Sequence, residues 1–291
     1  MMRTIALFFC WLIPSALLAE NEGSWSITEP FGISIGSSTL QDVQQRFNYQ
    51  KIWFSEEPAQ PFFHGVYVAM PGWNIYSNLI PPSEDSLLNK AGSISFWIDD
   101  QGAIGQIALA FHSETSSQAN ELYQQLNQRL KQQATLDQPK SLYEAYYLTN
   151  YIIYDPWPRI DYSSPDGVRS PTAYDEAPPL AEAYITESLA AYHQNHLSLL
   201  LVKKYYGYLD SEKALPEHIA LQDYGELYYA EFAAPAPLPF KDDPAYMIGL
   251  VISSDAFQQP FADNVQRVAA SGKLNEIAQV TFNKLLQNLN D

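Results

Sequence analysis

Residues 93–112 read Ser93-Ile94-Ser95-Phe96-Trp97-Ile98-Asp99-Asp100-Gln101-Gly102-Ala103-Ile104-Gly105-Gln106-Ile107-Ala108-Leu109-Ala110-Phe111-His112. Ile94, Phe96 and Ile98 alternate before the turn, and Ile107, Leu109 and Phe111 alternate after it. Two period-2 runs flanking an Asp-rich turn that closes on glycine predict an antiparallel hairpin. Gly105 predicts a β-bulge that resets the register. Asp99 and Asp100 lack the spaced acidic series and terminal glutamate of a calcium loop, so they are read as turn chemistry.

A helix follows the hairpin. Over 116–133, Ala119, Leu122, Tyr123, Leu126 and Leu130 form one apolar stripe against glutamine-rich polar faces. Thr115 with Gln118 caps its start. Upstream, Ile33 and Ile35 alternate like a strand, Gly36 permits a sharp turn, and Ser38 with Gln41 has the form of a capping box. A short helix carrying Leu40, Val43 and Phe47 on one face is expected there. Residues 51–92 are proline-interrupted and read as loop, with a short strand around Val66–Ala69.

The second half is less regular. Residues 141–154 are aromatic and β-prone, and 155–182 hold six prolines. Tyr154, Trp157, Tyr162 and Tyr174 punctuate that stretch, and rings of this size make it a candidate binding loop rather than a linker. Ala181–Tyr192 fits a helix. Alternatively, Glu187–Tyr192 pairs with Leu197–Tyr206 across His193-Gln194-Asn195-His196, and the β-rich Leu197–Val202 favours this hairpin. Residues 226–232 and Tyr246–Ser253 read as strands, and helices are expected at about 260–270 and 274–289, hinged at Ser271-Gly272. The fold class is α+β: mixed or antiparallel sheets with packed amphipathic helices. Two lobes, 20–138 and 139–291, are the expected division.

The first nineteen residues have the form of an export signal. Arg3 is their only charge, Ile5 to Ile13 is unbroken apolar sequence, and Pro14 and Ala19 precede Glu20. The apolar run is shorter than the roughly 20 residues that span a bilayer. Cys10, the only cysteine, lies in mid-run behind Phe8 and Phe9, which is not the context of a lipidated cysteine. Cleavage after Ala19 would leave a chain without disulfide or thiol chemistry. A Gram-negative periplasm is the expected address, with secretion as the alternative.

Sixteen basic residues against 33 acidic ones give a net charge of −17. Such a surface repels nucleic-acid phosphates and anionic lipid and attracts basic proteins. Gly32-Ile33-Ser34-Ile35-Gly36 matches the letters of a hydrolase elbow, but its serine lies inside the expected strand rather than after it. There is no His-Glu-x-x-His, P-loop or dinucleotide fingerprint. His193 and His196 would share a face on a helix and hold zinc there; on a hairpin they flank a turn. No metal site and no cofactor is expected, and the catalytic residues are unassigned.

Two resemblances add to this reading. Ile33-x-Ile35-Gly36-Ser37…Val43 resembles the strand–Gly–Ser/Thr–helix opening of small outer-membrane assembly modules of the BamE/SmpA type. Residues 246–286, with Tyr246–Ser253, Ser271-Gly272-Lys273-Leu274 and Ile277, are similar to the C-terminal end of periplasmic amino-acid-type solute-binding proteins. The leading functional expectation is an exported, non-enzymatic binding or interaction protein, an acidic inhibitor or immunity-type partner of a basic envelope protein. The alternatives are a solute-binding, transport-receptor-like protein and a hydrolase without a recognisable motif.

Overall fold

The computed structural model of the chain describes residues 29–47, 53–58, 62–63, 66–67, 73–77, 83, 85–99, 101–148, 150–155, 180–209, 222–223, 228–232 and 238–270. The expected export signal, the aromatic residues Trp157, Tyr162 and Tyr174, and the expected helix at 274–289 lie outside the described residues. The first elements are α1 (Leu40–Arg46), β1 (Trp53–Pro58), β2 (Phe62–Phe63), β3 (Val66–Tyr67) and β4 (Trp73–Ser77). Next come β5 (Ser93–Ile98), β6 (Ile104–Ser113), α2 (Ser116–Gln133), β7 (Thr135–Asp137), α3 (Leu142–Tyr146) and β8 (Asn150–Asp155). The chain continues through β9 (Leu180–Gln194), β10 (Leu197–Tyr208), β11 (Gln222–Asp223), β12 (Tyr228–Phe232), β13 (Ala245–Ser254) and α4 (Asp255–Ala270).

The fold is α+β. Among the described residues one antiparallel sheet has the order β1-β4-β5-β6-β13-β10-β9-β8-β12-β11, with β7 also on β9 and β2–β3 as a separate ladder. β13, late in sequence, sits in the middle of the sheet. It pairs with β6 from Tyr246↔Ser113 to Ser253↔Gln106 and with β10 from Ala245↔Tyr206 to Ser254↔Leu197. The sheet therefore runs across the division expected between residues 138 and 139.

The β5–β6 hairpin forms as its alternation predicts. Asp99 Oδ1 accepts from the amides of Gln101 and Ala103, and Gly102 takes the positive φ of 85° that the turn requires. Pairing steps from Trp97↔Gln106 to Ile98↔Ile104, which leaves Gly105 as the bulged residue. α2 has its N-cap at Thr115, whose hydroxyl accepts from the Gln118 amide. β9 and β10 form the longest hairpin, turning at Asn195-His196, where Asn195 has φ 55°. Residues 197–204 of β10 are buried on both faces, which accounts for the apolar run Leu199-Leu200-Leu201-Val202 there.

One face of the sheet is covered by α2. Phe96, Phe111, Leu199, Leu201, Ile248 and Leu250 build the main core with Leu126 and Leu130 of the helix. The opposite face carries a smaller apolar layer, Ala191, Leu200, Val202 and Val251, with Tyr147 and Ala108 packed on it. α4 and the short α3 cover one end of that face.

The structure corrects four sequence expectations. Residues 30–32 form a 3-10 turn and 33–38 a tight loop, not a strand. Ile33 and Ile35 are buried because the loop latches onto β6: the Gly36 amide donates to the Ile104 carbonyl (2.7 Å) and the Ile104 amide to the Ser38 carbonyl (2.8 Å). The cap of α1 lies one residue later than expected, at Thr39, whose amide and hydroxyl both donate to Asp42 Oδ2. The proline-interrupted stretch 51–92 supplies β1 and β4, which extend the sheet beyond β5. Among the described residues β1 ends that side of the sheet, where the N–H missing at Pro58 breaks no interior ladder. α4 begins at Asp255 rather than near 260, and Pro260 sits inside it. The buried pair Phe257 and Gln258 holds the early turns against the sheet despite the backbone hydrogen bond that proline removes.

Candidate functional site

The face opposite α2 contains a groove. Strand register aligns its floor in cross-strand rows over β10, β13, β6 and β5. One row is Leu200–Val251–Ala108–Ser95 and the next is Val202–Gly249–Ala110–Ser93. Side chains on one face alternate along a strand, so small residues at these paired positions leave a trough where a sheet face is ordinarily filled. The trough encloses about 280 Å³.

Its ends differ. At one end Trp97 and Tyr147 line it. Trp97 packs edge-on against Phe257 of α4, and Tyr143 packs against both Phe257 and Tyr147, so the wall is a continuous aromatic group. At the other end stand Lys204 and Met247, paired across β10 and β13. Lys204 is the basic residue among the described lining residues, and no Asp or Glu appears among them. Lys204 is only 9% exposed, and burial pushes its ammonium down to about 8.

The neighbouring lysine shows the contrast. Glu187 is an extra residue in β9, between Lys203↔Ser188 and Lys204↔Thr186. Lys203 points to the α2 face, where its Nζ donates to Glu187 Oε1 at 2.9 Å and to Asn120 Oδ1, 5.9 Å from the Tyr123 ring centroid. Two consecutive buried lysines thus serve opposite faces of one strand.

Beyond the aromatic wall lies a buried polar cluster. Glu144, 2% exposed, accepts from the Ser198 hydroxyl (2.5 Å), lies 3.1 Å from His193 Nε2, and accepts from the Lys140 amide. Gln258 accepts from the Ser141 hydroxyl (2.6 Å) and donates to Ser253 Oγ (2.8 Å). The Tyr143 hydroxyl donates to Gln106. Glu144 stands between Ser198 and His193, and Ser198 is fully buried, so its hydroxyl is neither activated by the imidazole nor open to a substrate. The cluster anchors α3 on the sheet.

Of the residues singled out in the sequence, Tyr154 lies in β8, opposite Tyr228 and Ala181, rather than in a loop. His193 lies in β9 and faces the Glu144 cluster, while His196 is exposed in the β9–β10 turn. Ser34 lies in the loop before α1, follows a 3-10 turn at 30–32 rather than a strand, and precedes a helix of only seven residues, so the elbow geometry is not formed. Among the described residues no group of three or more His, Cys, Asp or Glu is arranged to hold a metal, and no helix is long and apolar enough to cross a membrane. A second depression, about 610 Å³, is lined by Lys90, His112, Glu114, Gln118 and Glu121. Leu122, Tyr206 and Ala245 also line it, beside side chains of both charges.

Sequence reasoning missed the groove. Its signals were Lys203-Lys204 inside an apolar strand and the small residues alternating with Ile, Leu and Phe in β5 and β6. No protein-family model, curated protein or solved structure matches the chain.

Proposed function

We propose that the chain is an exported, non-enzymatic binding protein whose sheet-face groove takes a small amphipathic ligand. One observation carries this reading: a trough with an apolar floor, an aromatic wall and a few polar groups, held by the central strands of the sheet. Binding sites for small molecules have that composition. Export rests on residues 1–19, and the groove is compatible with the solute-binding alternative.

Gly249 supplies a clean test, because a Cβ added there meets nothing within 4 Å. Gly249→Leu fills the trough without backbone strain. Thermal-shift screening of wild type against small amphipathic compounds should find ligands that raise the melting temperature by several degrees. Gly249→Leu should fold and show no shift. A ligand that stabilises both proteins equally places its site elsewhere. Export is tested separately by the mass of the mature chain from a periplasmic fraction.

A second reading rests on the net charge of −17. A surface this acidic favours a basic partner protein, as an inhibitor or immunity-type protein would have. Capture from envelope extract that is lost on adding salt supports it; no capture at low salt counts against it.

A further inference from the structure

We infer that His193 is a pH-sensitive clip. Protonated, it fastens residues 135–146 to β9 from between two carboxylates, Asp137 and Glu144, and it releases them when the proton leaves. The inference stands apart from the proposed binding role.

Hydrogen bonding decides where the ring keeps its first proton. Glu144 Oε1 accepts from the Ser198 hydroxyl (2.5 Å) and lies 3.1 Å from His193 Nε2, while Oε2 accepts from the Lys140 amide. A carboxylate among such donors is an acceptor only, so the imidazole presents Nε2–H to it. Nδ1 is then the nitrogen that gains or loses the second proton. It is buried, has no hydrogen-bond partner among the described residues, and lies 3.9 Å from Asp137 Oδ2. In the neutral ring a buried lone pair faces that carboxylate, an acceptor left unsatisfied. In the imidazolium an N–H and a positive charge face it instead. Histidine is the side chain whose charge ordinarily changes between pH 5 and 8.

The charged groups around the ring come from successive parts of one segment. Asp137 ends β7, which pairs with β9 from Thr135↔His193; Lys140 follows in the loop, and Glu144 lies in α3. Ser198 of β10 faces the cluster from the other side and is neutral. Lys140 Nζ, 2.6 Å from Asp137 Oδ2, shares that carboxylate with the ring. With the ring protonated, the carboxylates of Asp137 and Glu144 are matched by the cations of Lys140 and His193. One side chain of β9 thus holds the segment at both β7 and α3. Tyr143 of α3 packs on Tyr147, which lines the groove, so the clip also sets how firmly that aromatic wall is held.

Hydrogen exchange of the full chain, corrected for the intrinsic pH dependence of amide exchange, tests the clip between about pH 5.5 and pH 8. Protection over 135–146 is expected to fall about fivefold as pH rises, the upper range for a partly exposed ion pair, while β13 keeps its protection. His193→Gln retains an N–H for Glu144 without a titrating ring, and its protection there should not change with pH. Asp137→Asn, at a solvent-exposed position, should show a smaller fall than wild type. A flat profile in wild type overturns the inference. So does a fall that persists undiminished in His193→Gln or in Asp137→Asn, or one that β13 shares equally.

Discussion

Replacing Lys204 with methionine in the ligand-free protein isolates the cost of keeping an ammonium in the groove. Burial lowers its pKa from the ordinary 10.5 to about 8. Between those values the unfolded chain holds a proton that the folded chain has released, so stability rises with pH across that window. Below pH 8 the whole penalty applies, about 3 kcal/mol at about 1.4 kcal/mol per tenfold change in proton affinity. Methionine keeps an unbranched apolar stem without the charge. Lys204→Met should therefore be more stable than wild type by about 2–3 kcal/mol at pH 7, or about 5–10 °C in melting temperature. The gap should close as pH approaches 10.5. Burial raises Tyr147 and Tyr192, and raises Tyr123 to about 12. These groups retain protons in the folded state, so their contribution to stability falls as pH rises above their ordinary value of 10.0. They are common to both proteins and drop out of the difference. Urea unfolding at pH 7, 9 and 10.5 measures the gap. A difference that is absent at pH 7, or that stays constant with pH, refutes the reasoning.

Gly105→Ala would place a Cβ 2.4 Å from Phe257 Cδ2 and 2.8 Å from Cγ. It should cost about 1–3 kcal/mol in urea unfolding, and adding Phe257→Leu should recover part of the loss because the two sites share one contact. Glu144→Ala removes the acceptor of the Ser198 hydroxyl and the Lys140 amide and the partner of His193. A loss of about 3 kcal/mol is expected, with faster hydrogen exchange confined first to 142–146; unchanged exchange there would show that the cluster does not anchor α3. Hydrogen bonds from the Thr39 amide and hydroxyl hold the Asp42 carboxyl below its ordinary value. The cap therefore contributes above the usual carboxylate range and is lost as pH falls through the lowered value. In Thr39→Ala, NMR titration of Asp42 should move back toward the ordinary value.

Local features were legible in the sequence where two signals agreed. The β5–β6 hairpin had alternation, an Asp-rich turn and Gly105, and all three act in the structure. α2 had both a stripe and a cap. The β9–β10 hairpin had only its apolar second half to oppose a helical reading, because strands buried on both faces lose their alternation. Ile33 and Ile35 alternated without a neighbouring strand to complete a ladder, and the loop's contacts with β6 account for their burial. The helix expected at about 260–270 starts earlier, because Phe257 and Gln258 are already buried against the sheet. The groove was the hardest to read. Ser93, Ala110, Gly249 and Val202 lie far apart in sequence and become one row only through pairings that no local pattern specifies.

The central position of β13 has a consequence for how the chain acquires its shape during synthesis. The β5–β6 and β9–β10 hairpins can each close from neighbouring sequence, but neither supplies the other's missing border. Until residues 245–254 emerge, β6 and β10 each present a long unpaired border to solvent and to other nascent chains. Insertion of this one segment joins the two hairpins and completes the groove floor with Gly249 and Val251 in the same event. Closure requires contacts over long sequence separations and is accordingly slow. Holding the translation product before residues 245–254 arrive keeps it open-bordered, and the groove floor is complete only when that strand is in place.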